Sequence, residues 1–466
     1  SPRARVLLVL GYSSVYEAAD HIPELREFRP IALEGIDDLL VLYLKKKGLH
    51  AADIALLPQG AGWLMAEFGG ETPEEAYARA AAARAALEST SNPPAMRIVD
   101  DPAEQHKLWV VRESGLGATA FVPGEPVTWE GWEDSAVPVE HLGSYLRDFR
   151  RLLQRFGYRG ALYGHFGQGC VHTRIDFDLE SAAGIDKYRE FTREAAEIVT
   201  RYGGSLSGEH GDGQSRGDLI PIMFGDELMQ AFREFKAIWD PDGRMNPGKL
   251  IDAYPRDKNL RLGADYRPAT PRTHFRFPHD DGSFARATLR CVGVGECRRL
   301  GGGTMCPSYM VLKEEKHTTR GRAHLLFEML QGETIREGWR SEEVKESLDL
   351  CLACKGCKDE CPVSVDVATY KAEFFSHYYE GRVRPRSAYA FGLIMHWARA
   401  AAKAPGLANL LTQTPGLRGV ARWAAGMTPE RPIPRFARQT FKAWWRRRRG
   451  SRRPTGAPRV LLWPDT

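Results

Sequence analysis

The chain has 466 residues, 43% hydrophobic and 27% charged. This ordinary globular composition excludes disorder or a collagen-like repeat for most of its length, and at roughly 150 residues per domain it suggests about two to four domains. The net charge is only +5, yet between Arg382 and Arg459 eighteen Lys/Arg stand against one acid, Glu430; this stretch reads equally as an exposed linker or as a contact for an acidic partner, a membrane or nucleic acid.

Residues 5–12 alternate as a strand through Val6, Leu8 and Leu10, and 14–25 follow as an amphipathic helix. A strand near 30–36 leads into a helix over 37–47. Residues 61–68 alternate as a strand, 74–87 form an Ala-rich helix, 96–99 a strand and 104–112 a helix. After a short strand, 139–156 is helical. The runs 160–165 and 171–177 flank Gly167-Gln168-Gly169 and predict a hairpin. Residues 185–202 form a long helix ended by Gly203-Gly204. Strands, helices and antiparallel pairs predict an α+β domain to about residue 265. From about 283 the strand signal vanishes, and helical stretches surround the cysteines to about 380. Residues 387–426 read as short helices interrupted by Pro405 and Pro415, and 444–454 as an Arg-rich linker.

No stretch approaches the ~20 apolar residues of a spanning helix, and residues 1–8 lack the apolar core of a signal peptide. They run straight into a strand pattern, while 459–466 stop as a new strand begins. Both ends read as cut, so a piece of a longer polypeptide is expected.

Seven of the eight cysteines fall between Cys291 and Cys361, which is metal or cluster spacing rather than a disulfide framework. Cys351, Cys354, Cys357 and Cys361-Pro362 fit C-x2-C-x2-C-x3-C-P without a mismatch. In such motifs three thiolates hold one iron–sulfur cubane and the Cys before Pro ligates the other cluster. By that swap, Cys306, from Cys306-Pro307, completes a [4Fe–4S] site with Cys351, Cys354 and Cys357. Cys291, Cys297 and Cys361 remain, with Val294 where a middle Cys would stand. Three thiolates suit a [3Fe–4S] centre, a cubane with a non-Cys fourth ligand, or a remnant without a cluster. Arg320-Gly321-Arg322 either bonds cluster sulfurs or is a plain surface turn.

A second constellation pairs His165 and His172 across the Gly-rich turn with Glu209 in Ser207-Gly208-Glu209-His210-Gly211-Asp212-Gly213. Two His and a carboxylate suit Zn²⁺ or a similar divalent ion. His210 is free to act as a base, and Cys170 reads as a small buried filler. No G-x-G-x-x-G follows a strand and no P-loop is present.

These segments, with Trp239-Asp240-Pro241-Asp242-Gly243-Arg244-Met245-Asn246-Pro247-Gly248-Lys249, Pro30-Ile31-Ala32-Leu33-Glu34 and Arg112-Glu113-Ser114, resemble the C-terminal substrate (cap) domain of the FAD-linked oxidases: the D-lactate, glycolate and D-2-hydroxyglutarate dehydrogenases. The cysteine region resembles the ferredoxin-like part of bacterial fusions of FAD-linked oxidase and Fe–S oxidoreductase. The resemblance implies an antiparallel-sheet substrate domain at 1–265, an all-α ferredoxin-like domain at 266–385, a basic helical linker at 386–456 and, at 457–466, the start of a cysteine-rich domain like that of heterodisulfide reductases. It implies that His165, His172 and Glu209 are metal ligands and His210 the base. Arg112 would stand near substrate or flavin, and Asn246 and Lys249 in a segment returning toward the flavin. FAD would be held mostly by a domain preceding Ser1, leaving this chain inactive alone.

The implied reaction is oxidation of a small D-2-hydroxy acid to a 2-oxo acid, with electrons leaving through Fe–S to a quinone or carrier protein. The rival reading is a non-catalytic electron-transfer module. Where some members of the resembled family carry Lys-Tyr-Asp before a Ser and a Pro, this chain has Trp132-Glu133-Asp134-Ser135-Ala136-Val137-Pro138; the absence of that Lys, suited to a second substrate carboxylate, speaks against the five-carbon diacid. No nucleic-acid partner is expected. A homo-oligomer is compatible with this reading, as is a place in the cytoplasm or at the inner face of the membrane.

Overall fold

The computed structural model describes residues 2–448. The expected further domain at 457–466 and the linker's residues 449–454 lie outside them. Seven strands form one antiparallel sheet: β1 (Ala4–Tyr12), β2 (Ala32–Asp37), β3 (Gly62–Gly70), β4 (Ala95–Val99), β5 (Asp134–Ala136), β6 (Tyr163–Gly164) and β7 (Cys170–His172), in the order β4-β1-β3-β2-β6-β7-β5. Because side chains alternate across a strand, β1 buries Val6, Leu8 and Leu10 in the main core and Leu7 and Val9 on the other face, against Met65, Val99 and Leu108. The Pro73–Glu88 helix covers the main face with Ala76, Ala80, Ala83 and Leu87. It starts at Thr72, whose hydroxyl accepts from the Glu75 amide while the Glu75 carboxylate accepts from the Glu71 amide.

The end of β2 fixes the strands that carry the functional residues. Asp37 is fully buried; its carboxylate accepts from the Leu40 amide, starting the Asp38–Lys47 helix, and from the Leu162 amide and Arg150. Burial pushes its pKa up to about 6, against the pull of Arg150. This anchor sets the register Gly35↔Gly164 and Ile36↔Tyr163, and the expected hairpin follows as β6 and β7, paired at Tyr163↔His172. Gly169 turns the hairpin at φ 74°; a Cβ there would lie 1.8 Å from the Val137 carbonyl oxygen.

Two expectations are corrected. The helix expected over 14–25 is two, Val15–Asp20 and Ile22–Glu27, because Pro23 cannot donate into the preceding turn and starts a new helix instead. Residues 444–448 lie not in an open linker but in the Phe441–Arg448 helix, where Ala, Lys and Arg are good helix formers.

Among the described residues no strand follows β7. The helices Phe284–Leu289, Pro307–Leu312, Thr319–Gln331, Glu342–Asp349 and Gly356–Glu360 surround the cysteines. One compact body runs to Glu373, so the stretch expected as a domain at 1–265 and the following residues 266–373 pack together, while 374–385 of the second expected domain fall in the other body. Lys47 donates to the carbonyls of Gly117 and Ala120 and to that of Pro362 at 3.0 Å. Burial depresses its pKa to about 8. Arg290 donates to the Val363 carbonyl and lies over the Phe121 ring. A second body begins at Phe374 and contains the expected short helices, Arg386–Gly392, Ile394–Lys403, Pro405–Gln413 and Leu417–Ala425.

Candidate metal and cluster sites

Asp134 on β5 is fully buried and organises the loop that carries Glu209 and His210. Its Oδ2 accepts from the Ser207 hydroxyl (2.6 Å) and from the amides of Glu209 (3.1 Å) and His210 (2.7 Å). Burial opposes ionisation, but these donors hold the carboxyl below its usual range. The loop thereby meets the β6–β7 hairpin, which presents His165 and His172.

Each imidazole is held at Nδ1. His165 Nδ1 pairs with Glu34 Oε1 at 2.8 Å, His172 Nδ1 faces the Glu133 carbonyl at 3.3 Å, and His210 Nδ1 pairs with Glu133 Oε2 at 2.8 Å. All three Nε2 atoms then lie 3.3 Å from one atom, Oε1 of Glu209. Ligands about 2.0–2.2 Å from a tetrahedral ion stand roughly 3.3–3.6 Å apart, so each of these nitrogens stands at a two-ligand separation from Glu209 Oε1, which suits a divalent ion; Glu133, His172 and His210 also come within ligand reach of one another. Acceptors on the outer nitrogens leave the Nε2 lone pairs for it, the arrangement that orients metal-binding imidazoles. The bond to Glu34 raises the His165 pKa, whereas burial, then Arg112 and His165, lowers that of His172.

Cys170 also comes within ligand reach of Asp134, His172 and Glu209. Burial raises its thiol, which donates to Asp134 Oδ1 at 3.4 Å, and it packs against Gly208 as a small filler. Arg112 is buried; its guanidinium binds the Glu34 carboxylate (Nε to Oε2, 3.0 Å) and lies 5.5 Å from the Tyr163 ring centroid. Together with Arg5, Glu34, Glu67, Trp109 and His165 it lines a cleft of about 690 Å³. Asn246 and Lys249 lie on an exposed segment beside the Glu209 loop, where Lys249 Nζ donates to Gln214 and the Leu250 amide to the Gly213 carbonyl.

The seven clustered cysteines divide between two small cavities. Cys306, Cys351, Cys354 and Cys357 line one, with Arg322. Cys291, Cys297 and Cys361 line the other, with Val294 and Arg320. Thr319 borders both, and its hydroxyl lies 3.1 Å from Cys306 Sγ. Arg322 is no surface turn: it is buried and donates to the Ser347 carbonyl and the Ser308 hydroxyl. Burial pushes the Cys291 thiol up to about 11 and that of Cys357 to about 12, so filling either cavity must expel protons.

Residues 1–250 match the family described as FAD linked oxidases, C-terminal domain. The chain belongs to this family. Residues 287–365 match a 4Fe-4S dicluster domain, C-terminal to the FAD-linked oxidase region. Relatives include the D-2-hydroxyglutarate dehydrogenases of Pantoea ananatis (26% identity; 95% of this chain, 47% of the relative) and Escherichia coli K12 (26%; 91% and 46%). Glycolate oxidase subunit GlcD of E. coli K12 is 30% identical over 34% of this chain and 30% of its own length. The chain spans about half the length of the dehydrogenases it matches.

Sequence reasoning gave no role to Glu34, Glu133 or Asp134, which hold the site together. Their only signal was adjacency: Glu34 closes the segment 30–34 that carries part of the resemblance, and Glu133 and Asp134 are paired acids at the start of β5.

Proposed function

We propose that this chain forms the substrate and electron-exit part of a flavin-dependent D-2-hydroxy acid dehydrogenase of the D-lactate or D-2-hydroxyglutarate class. The observation that carries this reading is the convergence of three imidazole Nε2 atoms on one Glu209 oxygen beside the cleft. His165, His172 and Glu209 would hold a divalent ion, Zn²⁺ by the chemistry of the ligands, leaving one position open for substrate. The ion supplies Lewis acidity that lowers the pKa of the substrate hydroxyl, and FAD supplies the hydride acceptor. His210 Nε2, at the edge of the ion site, takes the hydroxyl proton, while Glu133 holds its Nδ1 and keeps the ring aimed. Arg112 is a positioning residue: by binding Glu34 it fixes the carboxylate that orients His165. Asn246 and Lys249 face the flavin side.

Cys306, Cys351, Cys354 and Cys357 would hold a [4Fe–4S] cluster, and Cys291, Cys297 and Cys361 a second centre, which supply one-electron transfer. A quinone or a carrier protein receives the electrons. Thiols kept for clusters favour a reducing compartment, the cytoplasm, and among the described residues no helix is long and apolar enough to cross a membrane.

Anaerobic mixing of the flavin-loaded enzyme with a panel of 2-hydroxy acids tests the reading. D-lactate or D-2-hydroxyglutarate is expected to bleach the flavin, and the L-enantiomers to leave it oxidised. No bleaching by any D-2-hydroxy acid would refute it.

A further inference from the structure

The geometry points to a three-iron centre, [3Fe–4S], in the cavity of Cys291, Cys297 and Cys361, where the dicluster family to which residues 287–365 belong would lead one to expect a second [4Fe–4S] cluster. The inference rests on the proposal that this cavity holds a cluster at all, and specifies which.

A cubane needs a ligand at each of four corners; a three-iron centre lacks one corner and needs three thiolates. The cavity offers three. The fourth position on this wall belongs to Val294, midway between Cys291 and Cys297, and its side chain cannot ligate iron. The oxygen donors that border the cavity are committed elsewhere. The Glu296 carboxylate is 46% exposed and pairs with Arg299 at 3.0 Å. The Thr319 hydroxyl is engaged with Cys306 Sγ of the neighbouring cavity. Val363 and Val365, both buried, add only apolar lining and no further ligand atom.

The position of Val294 also gives the centre a place in the molecule. A Cβ added at Gly117, in the Gly115–Thr119 helix, would meet Pro362 at 2.5 Å and Val294 at 3.8 Å. A Cβ at Gly115, one turn-half earlier, would meet the ring of Tyr163, which lies under Arg112. Lys47 ties Pro362, next to Cys361, to this same helix. The Gly115–Thr119 helix thus links the Cys291 cavity to Tyr163 and Arg112, and Thr319 joins that cavity to the four-cysteine one.

Iron and sulfide are counted in holoprotein purified anaerobically, with an electron paramagnetic resonance spectrum of the oxidised state. About seven irons and about eight sulfides per chain are expected, with a nearly isotropic signal close to the free-electron g value. Ferrous iron with dithionite should leave the count unchanged, which separates a built three-iron centre from a cubane that lost iron to air. Val294→Cys supplies the missing corner and should raise the count to about eight irons and abolish the oxidised signal. A wild-type count of about eight, or a rise to eight on adding ferrous iron, would overturn the three-iron assignment while sparing the second cluster. A count of about four without the signal would show an empty cavity and sink the second cluster itself.

Discussion

His210→Ala in the flavin-loaded enzyme is expected to lower turnover about 10²–10⁴-fold, the usual worth of a positioned general base. The variant should keep its divalent ion, because His165, His172 and Glu209 remain. Their supports remain too: Glu34 on His165, the Glu133 carbonyl on His172, and Asp134 on the amides of the loop. His210 is also half-exposed, so the truncation leaves no core cavity. A variant that retains near-normal turnover would show that His210 is not the base, and one that loses the ion along with turnover would make His210 a fourth ligand.

Cys354→Ser is expected to cost the protein about four irons, the whole cluster of the Cys306 cavity. Cys354 is the exposed member of its set, so the substitution removes a ligand without disturbing packed side chains. Flavin reduction by substrate should persist in single-turnover mixing, while steady-state reduction of a one-electron acceptor collapses. That split distinguishes an exit path from a general loss of folding. Unchanged iron content in the variant would show that Cys354 holds no cluster.

Much of the architecture was legible from alternation and helix punctuation. Val6, Leu8 and Leu10 announce β1, and the two runs around Gly167 announce the hairpin that brings His165 to His172. The cysteine spacing divides the thiols in the same way as the two cavities do. The Ile220–Trp239 helix escaped prediction because Gly225, at φ 73°, interrupts its early turns with a kink. Its apolar residues Phe224, Leu228, Phe235 and Trp239 are exposed rather than directed to the core, which removes the burial that periodicity normally reports. The acids of the site were illegible for a different reason. Glu34, Glu133 and Asp134 act through contacts spanning 36 to 131 residues of sequence, and local pattern carries no trace of such pairs. What does record them is the sheet order, which sets β2 beside β6 and β5 beside β7.

The most direct test of the account is the dependence of flavin reduction on the divalent ion proposed for His165, His172 and Glu209. The flavin-loaded enzyme is stripped with a chelator strong enough to remove divalent ions while iron and flavin contents are monitored, then mixed anaerobically with the D-2-hydroxy acid that bleaches it best. The account predicts that bleaching is lost on stripping, with flavin and cluster iron intact, and returns on adding about one Zn²⁺ or similar divalent ion per chain. Bleaching at the original rate in enzyme shown to carry no divalent ion would contradict it.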